Sequence, residues 1–164
     1  MHRRYPVRWL FTDERADPIA AARRLPPGSG IVFRHKATSR AERLALFLAL
    51  RRIATARRLL IVSAGGPRFS AAGSHGERRA LTWPAHDRRQ AIAARRAGAA
   101  LVFVSPVHPT RSHPGAPALG QMRAATIARG LGMQVIALGG MDERRWRRIA
   151  RLGFHGWAGI DAWS

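Results

Sequence analysis

Residues 105–120 read SPVHPTRSHPGAPALG. They follow an apolar run, 99–104, with the character of a buried strand, and they precede an amphipathic segment that begins near Gln121. The stretch is therefore a strand-to-helix loop, stiffened by Pro106, Pro109, Pro114 and Pro117. Thr110, Arg111, Ser112 and His113 are donors suited to converge on an anionic group. Long polar loops at the carboxyl ends of strands are where α/β proteins bind ligands. A solvated proline-rich connector is the other reading of the same composition.

Working outward, the same alternation of strand and helix runs through the chain. Residues 7–12 form a short apolar strand ending at Asp13, and Asp17 with Pro18 opens a helix over 19–25 that Pro26-Pro27-Gly28 stops. Residues 30–33 are the second strand. Ser39 with Glu42 three residues on is a capping-box pattern before an apolar-periodic helix through Leu44, Phe47, Leu48 and Ile53. Strands at 59–63, 81–83, 134–138 and 156–160 and helices at 88–97, 124–131 and 142–152 complete the pattern. Residues 64–79, with Gly65, Gly66, Pro67 and Gly73, carry no convincing helix. This order predicts a parallel sheet with right-handed crossovers. Polar or glycine-containing sequence after each strand points to a TIM-type (β/α) barrel as a single domain over 1–164, shortened around residues 64–79 and lacking the final helix. A complete barrel takes at least about 200 residues, so an open doubly wound sheet is the alternative.

The chain has 164 residues, 29 of them basic and 9 acidic, for a formal net charge of +20. Such a balance suggests a polyanion partner, but the arginines are spread over every helix-like segment, with Lys36 the only lysine. With no nucleic-acid signature in the sequence, nucleic-acid binding is the lesser reading. The absence of cysteine excludes disulfides and thiolate chemistry. No run approaches the roughly 18 apolar residues of a membrane span, and residues 1–6 are unlike a signal peptide, so a cytoplasmic protein without membrane contact is expected. The sequence is compatible with a homo-oligomer and does not fix the oligomeric state.

Several spaced features resemble the thiamine phosphate synthase and TenI family. Thr12-Asp13 resembles its opening TD strand, and Val32-Phe33-Arg34-His35-Lys36 its Q-x-R-x-K segment. Ala85-His86 resembles its S-x-H strand end. Ser105-Pro106-Val107-His108-Pro109-Thr110 resembles its G-P-V-F-P-T loop, closed by Leu119-Gly120. Ala137-Leu138-Gly139-Gly140-Met141 resembles its A-x-G-G-I strand and Gly156-Trp157-Ala158-Gly159-Ile160 its final strand, which reaches Asp161. The resemblance implies a TIM barrel that binds a phosphorylated thiazole, with or without a pyrimidine diphosphate, for synthase or thiazole tautomerase chemistry. It implies a phosphate and substrate site made by Arg34, Lys36, Thr110, Ser112, His113, Gly139, Gly140, Ile160 and Asp161. In TenI-type tautomerases the histidine matching His86 is the acid/base. It also implies Mg²⁺, yet the family's Asn-Asp after the third strand and Asp after the fourth would fall within residues 63–79, which contain no aspartate.

Each candidate has a simpler alternative. Arg34 and Lys36, two apart at a strand end, share one side of the strand and offer a bidentate fork and a point charge to phosphate, or else are surface charges. Gly139 and Gly140 let backbone N–H groups approach a phosphate, or make a tight turn. His86 is the acid/base or a structural histidine at a strand end. His75, His108 and His113 match no standard zinc spacing, so no metal is assigned to them. A degenerate, non-catalytic phospho-ligand-binding or regulatory member of the fold stands beside the enzyme.

Overall fold

The computed structural model describes residues 4–65, 69, 71–111, 114, 115 and 117–163. Eight parallel strands close into a barrel in chain order. They are β1 (Arg8–Phe11), β2 (Gly30–Phe33), β3 (Leu60–Ala64), β4 (Gly73–His75), β5 (Thr82–Ala85), β6 (Leu101–Val104), β7 (Gln134–Leu138) and β8 (Gly156–Gly159). Closure comes from β8 returning to β1, with Ala158 opposite Trp9. The barrel, and not the open sheet, is therefore the fold. Among the described residues the α-helices are α1 (Pro18–Arg24), α2 (Arg40–Arg57), α3 (Arg88–Arg96), α4 (Gln121–Ala128) and α5 (Glu143–Ile149).

The helices start where their caps put them. Asp17 accepts from the N–H groups of Ile19 and Ala20 ahead of Pro18. Asp87 accepts from Gln90 N at 2.7 Å and Asp142 from Arg145 N at 2.7 Å. At α2, Ser39 Oγ accepts from Glu42 N at 3.4 Å and donates to the Glu42 carboxylate, so that the side chains of the pair close on each other.

The shortening at 64–79 takes a form the sequence conceals. The segment supplies β4, whose Ser74 lies opposite Ser63 of β3 and whose His75 lies opposite Thr82 of β5. No helix stands between β3 and β5 among the described residues. Gly-Ser-His has neither length nor apolar alternation, and its extended form is imposed by a neighbour on each side. Beyond β8 the chain makes one 3₁₀ turn, Asp161–Trp163, whose tryptophan stacks on Trp157 at 5.0 Å.

The interior is filled, as in other such barrels, by inward side chains. Trp9, Phe11 and Phe103 meet edge to face, with Trp9 at 5.4 Å and Phe11 at 4.7 Å from Phe103. Small residues opposite them make the room, since a Cβ on Gly30 would overlap the Trp9 ring. Two outer shells complete the core. One packs Phe47 and Leu50 of α2 and Ala21 and Ala22 of α1 against β1–β3. The other packs α3, α4 and α5 against β5–β8.

Candidate active site

The carboxyl ends of the strands carry the polar groups. At the end of β1, the buried Thr12 Oγ1 accepts from Arg34 N at 3.1 Å and pairs with His35 Nδ1 at 3.0 Å. Thr12 thus ties the ends of β1 and β2 together. His35 is buried and stacks on Phe33 at 5.3 Å, with its backbone at φ +25 just beyond β2, and Arg34 turns toward the barrel interior. Arg34 Nε donates to Thr12 O at 3.1 Å, and its guanidinium lies 5.4 Å from the centre of the Phe11 ring. Burial pushes the Arg34 guanidinium down from the usual arginine range, and Asp13 opposes that shift.

Lys36 is exposed and its stem lies over the end of β3, with Cε 3.4 Å from where a Gly65 Cβ would stand. Asp13 is 3.6 Å from Arg34 and joins Arg15, whose guanidinium is also 3.9 Å from Asp161. Asp161 therefore ends an alternating charge chain, Asp161, Arg15, Asp13, Arg34. Ile160 packs on the interior apolar cluster.

His75, which sequence reasoning set aside, stands in the middle of this group. Its ring meets Phe11 at 5.4 Å and Phe103 at 5.6 Å, and its Nδ1 is 2.9 Å from Thr82 Oγ1. Burial, then Arg34 and Lys36, push its pKa down to about 4, so the ring is neutral near pH 7. The sequence gives no signal for this position, because residues 64–79 carry no helix or strand pattern of their own.

His86 lies across the barrel end, exposed, just after β5. Its Nδ1 is 2.9 Å from the carbonyl oxygen of Ser105 and 3.4 Å from Ser105 Oγ. A carbonyl can only accept, so Nδ1 carries the proton and Nε2 of the neutral ring keeps its lone pair. The Gln90 side chain accepts from the His86 backbone N–H at 2.8 Å, which fixes the residue at the start of α3.

On the β6–α4 loop, Thr110 is half-buried; Ser112 and His113 lie outside the described residues. The loop continues the barrel ladder, with Val107 N and His108 N donating to Leu138 O and Gly139 O at 2.8 and 3.1 Å. It lies directly on the glycine pair: a Cβ on Gly139 would stand 2.7 Å from Pro106 Cα, and one on Gly140 would overlap the Pro109 carbonyl. The two glycines thus have a packing reason of their own, and Arg145 donates to the Gly140 carbonyl.

The β2–β4 side of the mouth is cationic through Arg34, Lys36 and Arg43. The last, on α2, is buried and donates to Ala64 O at 2.9 Å and Gly65 O at 2.6 Å. A cavity of about 420 Å³ opens at the opposite end of the barrel among Arg4, Tyr5, Ser29 and Arg58. Its lining has no histidine or carboxylate.

Elsewhere, much of the arginine excess is used within the fold. Arg57 donates to Leu25 O, Arg88 to Ile127 O and Arg129 O, and Arg24 to Trp163 O. No helix among the described residues is long and apolar enough to cross a membrane.

The sequence profile of a family described as thiamine monophosphate synthase matches residues 66–163. The structure is similar to thiamine phosphate pyrophosphorylase from Pyrococcus furiosus, with TM-score 0.83 and 19% identity over 94% of this chain and 85% of that one. It is also similar to thiamine phosphate pyrophosphorylase from Bacteroides thetaiotaomicron, with TM-score 0.63 and 20% identity over 96% and 83% of the two chains. FabK from Thermotoga maritima shares the barrel at TM-score 0.56 and 14% identity, over 96% of this chain and 58% of its own. No curated protein matches the sequence. His86, Thr110 and the glycine pair fall inside the matched family region, whereas Arg34 and Lys36 precede it.

Proposed function

Because the chain belongs to the thiamine monophosphate synthase family, we propose that its barrel mouth binds a phosphorylated thiazole and that His86 moves a proton on the thiazole ring. One observation carries the reading: the Nδ1–H of His86 is committed to the Ser105 carbonyl, which leaves Nε2 as an oriented base at an exposed strand end. Nε2 takes a proton from one position of the ring and, as imidazolium, returns it at another, so nothing is gained or lost overall. Lys36, with Arg34 behind it, holds the phosphate. Thr110, Ser112, His113, Gly139, Gly140, Ile160 and Asp161 are the remaining candidates around the ligand, the last through its ion pair with Arg15.

This favours tautomerase over synthase chemistry. The family resemblance implies Mg²⁺, and the donor set at the ends of β3 and β4 does not fit it. Mg²⁺ takes hard oxygen ligands, carboxylates foremost, and residues 63–76 contain neither Asp nor Glu. The carbonyls of Ala64 and Gly65 already accept from Arg43. Among the described residues no group of three or more His, Asp or Glu could hold a metal ion. The same mismatch favours, as the second reading, a phospho-ligand-binding protein without turnover.

The test is deuterium exchange into a thiazole phosphate carboxylate substrate, followed by NMR, with wild type and His86→Ala. Loss of at least about a hundredfold in exchange rate is expected on removing the base. Exchange unchanged in His86→Ala removes His86 from the mechanism, and Mg²⁺-dependent formation of thiamine phosphate by the wild type refutes the preference for tautomerase chemistry. Calorimetric binding with no exchange selects the non-catalytic reading.

A further inference from the structure

The end of β3 is occupied by a cation that belongs to the chain. Arg43 sits one turn into α2 and reaches up beside β3, where its terminal NH2 contacts Ser63 Oγ, Ala64 O and Gly65 O at 3.4, 2.9 and 2.6 Å. The guanidinium is held between the rings of Phe33, 5.1 Å away, and Phe69, 5.3 Å away. Only 5% of the residue is exposed, and its Nε, buried, has no hydrogen-bond partner among the described residues. Its electrostatic counter-charge is Glu14, whose carboxylate accepts from Ala37 N at 2.9 Å, and no carboxylate makes an ion pair with Arg43 among the described residues. A guanidinium keeps its charge under these conditions. Lys36 reaches over Gly65, and Arg34, just beyond β2, lies over the Phe11 ring. Among the described residues the β2–β3 sector therefore carries three positive charges, Arg34, Lys36 and Arg43, against the one carboxylate of Glu14, which accepts from Ala37 N, while Asp13 and Asp161 are gathered on the β1–β8 side with Arg15.

We infer that Arg43 is a resident cation at the end of β3, and that the mouth consequently binds a phosphate monoester dianion without any divalent metal. The inference rests on the phospho-ligand reading of the same site, and it adds the metal independence and the charge class of the ligand. Two physical points carry it. The oxygen atoms that a metal at the β3 end would need are used by the guanidinium, and a divalent ion placed there would meet a like charge at contact range. Among the described residues of the sector, Arg34, Lys36 and Arg43 face Glu14, with Asp13 shared between Arg34 and Arg15, and this excess of positive charge suits a phosphate monoester dianion without a metal counter-ion.

The experiment uses the intact chain and inorganic phosphate as the probe, titrated calorimetrically at fixed ionic strength with EDTA and, separately, with excess Mg²⁺. The expected result is saturable phosphate binding whose affinity differs by less than twofold between the two conditions, with pyrophosphate no tighter in Mg²⁺ than in EDTA. A tenfold or larger gain with Mg²⁺, or stoichiometric Mn²⁺ uptake in the presence of phosphate by water-proton relaxation, overturns the resident-cation inference while leaving the phospho-ligand site intact. Failure of phosphate to bind in either condition overturns both. Arg43→Met should weaken phosphate about fivefold by removing one nearby charge. Should that variant not fold by circular dichroism, Arg43→Lys, which keeps the charge and loses the planar fork, should fold and bind phosphate within about twofold of wild type. Wild-type affinity in a folded Arg43→Met, or a folded Arg43→Lys as weak as a Lys36→Ala control, counts against the role of its charge.

Discussion

Acid should destabilise this barrel through His75 before its carboxylates are titrated. The ring is held at the inner end of β4 by Phe11, Phe103 and Thr82, with Arg34 and Lys36 nearby. Its folded pKa is about 4, against an ordinary value of 6.5. The unfolded chain therefore takes up this proton near pH 6.5, while the folded chain resists it until about pH 4. Stability from His75 is full above the upper value and drains as the pH falls through that window. The whole gap corresponds to about 3 kcal/mol, of which about 2.5 kcal/mol is gone by pH 4.5. Glu14, Glu143, His35 and His108 are also shifted down and act in the same direction, so the wild type alone does not isolate His75.

His75→Phe does isolate it, by keeping an aromatic ring among aromatic neighbours while removing the proton. Urea unfolding of both proteins near pH 7 and near pH 4.5 should show the wild type losing about 2.5 kcal/mol more than the variant between the two conditions. Equal acid sensitivity of the two proteins, or an NMR titration placing the His75 midpoint near the ordinary imidazole value, refutes the reasoning.

Other substitutions test the packing of the mouth and the barrel. Gly140→Ala places a side chain at φ +57 against the Pro109 carbonyl, and should cost about 1–3 kcal/mol in thermal or urea unfolding. Because it also moves the β6–α4 loop, a variant that unfolds like wild type shows that the loop does not rest on β7. Gly30→Ala drives a methyl into the Trp9 ring at ordinary φ, and a loss of about 1–3 kcal/mol with an altered tryptophan spectrum is expected. Thr12→Val removes the acceptor for Arg34 N and the partner of His35, and should cost about 1–3 kcal/mol by leaving buried groups unsatisfied. Unchanged stability in Thr12→Val places water on those groups.

What the sequence made legible, and what it hid, follow one physical division. Elements whose form is set locally could be read. Asp17-Pro18 and Asp87 announce helix starts because a side-chain acceptor meets the first free N–H groups, and both do so in the fold. Elements set by distant partners could not be read. β4 exists because β3 and β5 stand on either side of it, and His75 acquires its lowered pKa from Phe11, Phe103, Arg34 and Lys36, which come from three other strand ends.

Arg43 shows the same limit from the other direction. Nothing in its sequence neighbourhood marks it out among the other arginines of α2, and its role comes from β3, Phe33 and Phe69, which close around it in the fold. The carboxylates missing from 63–76 could be noticed in the sequence as a loss. That a guanidinium from α2 fills the vacated corner is a fact of three dimensions. With that cation in place, the proposed chemistry is the handling of a single phosphate beside an oriented imidazole rather than metal-assisted displacement of a diphosphate.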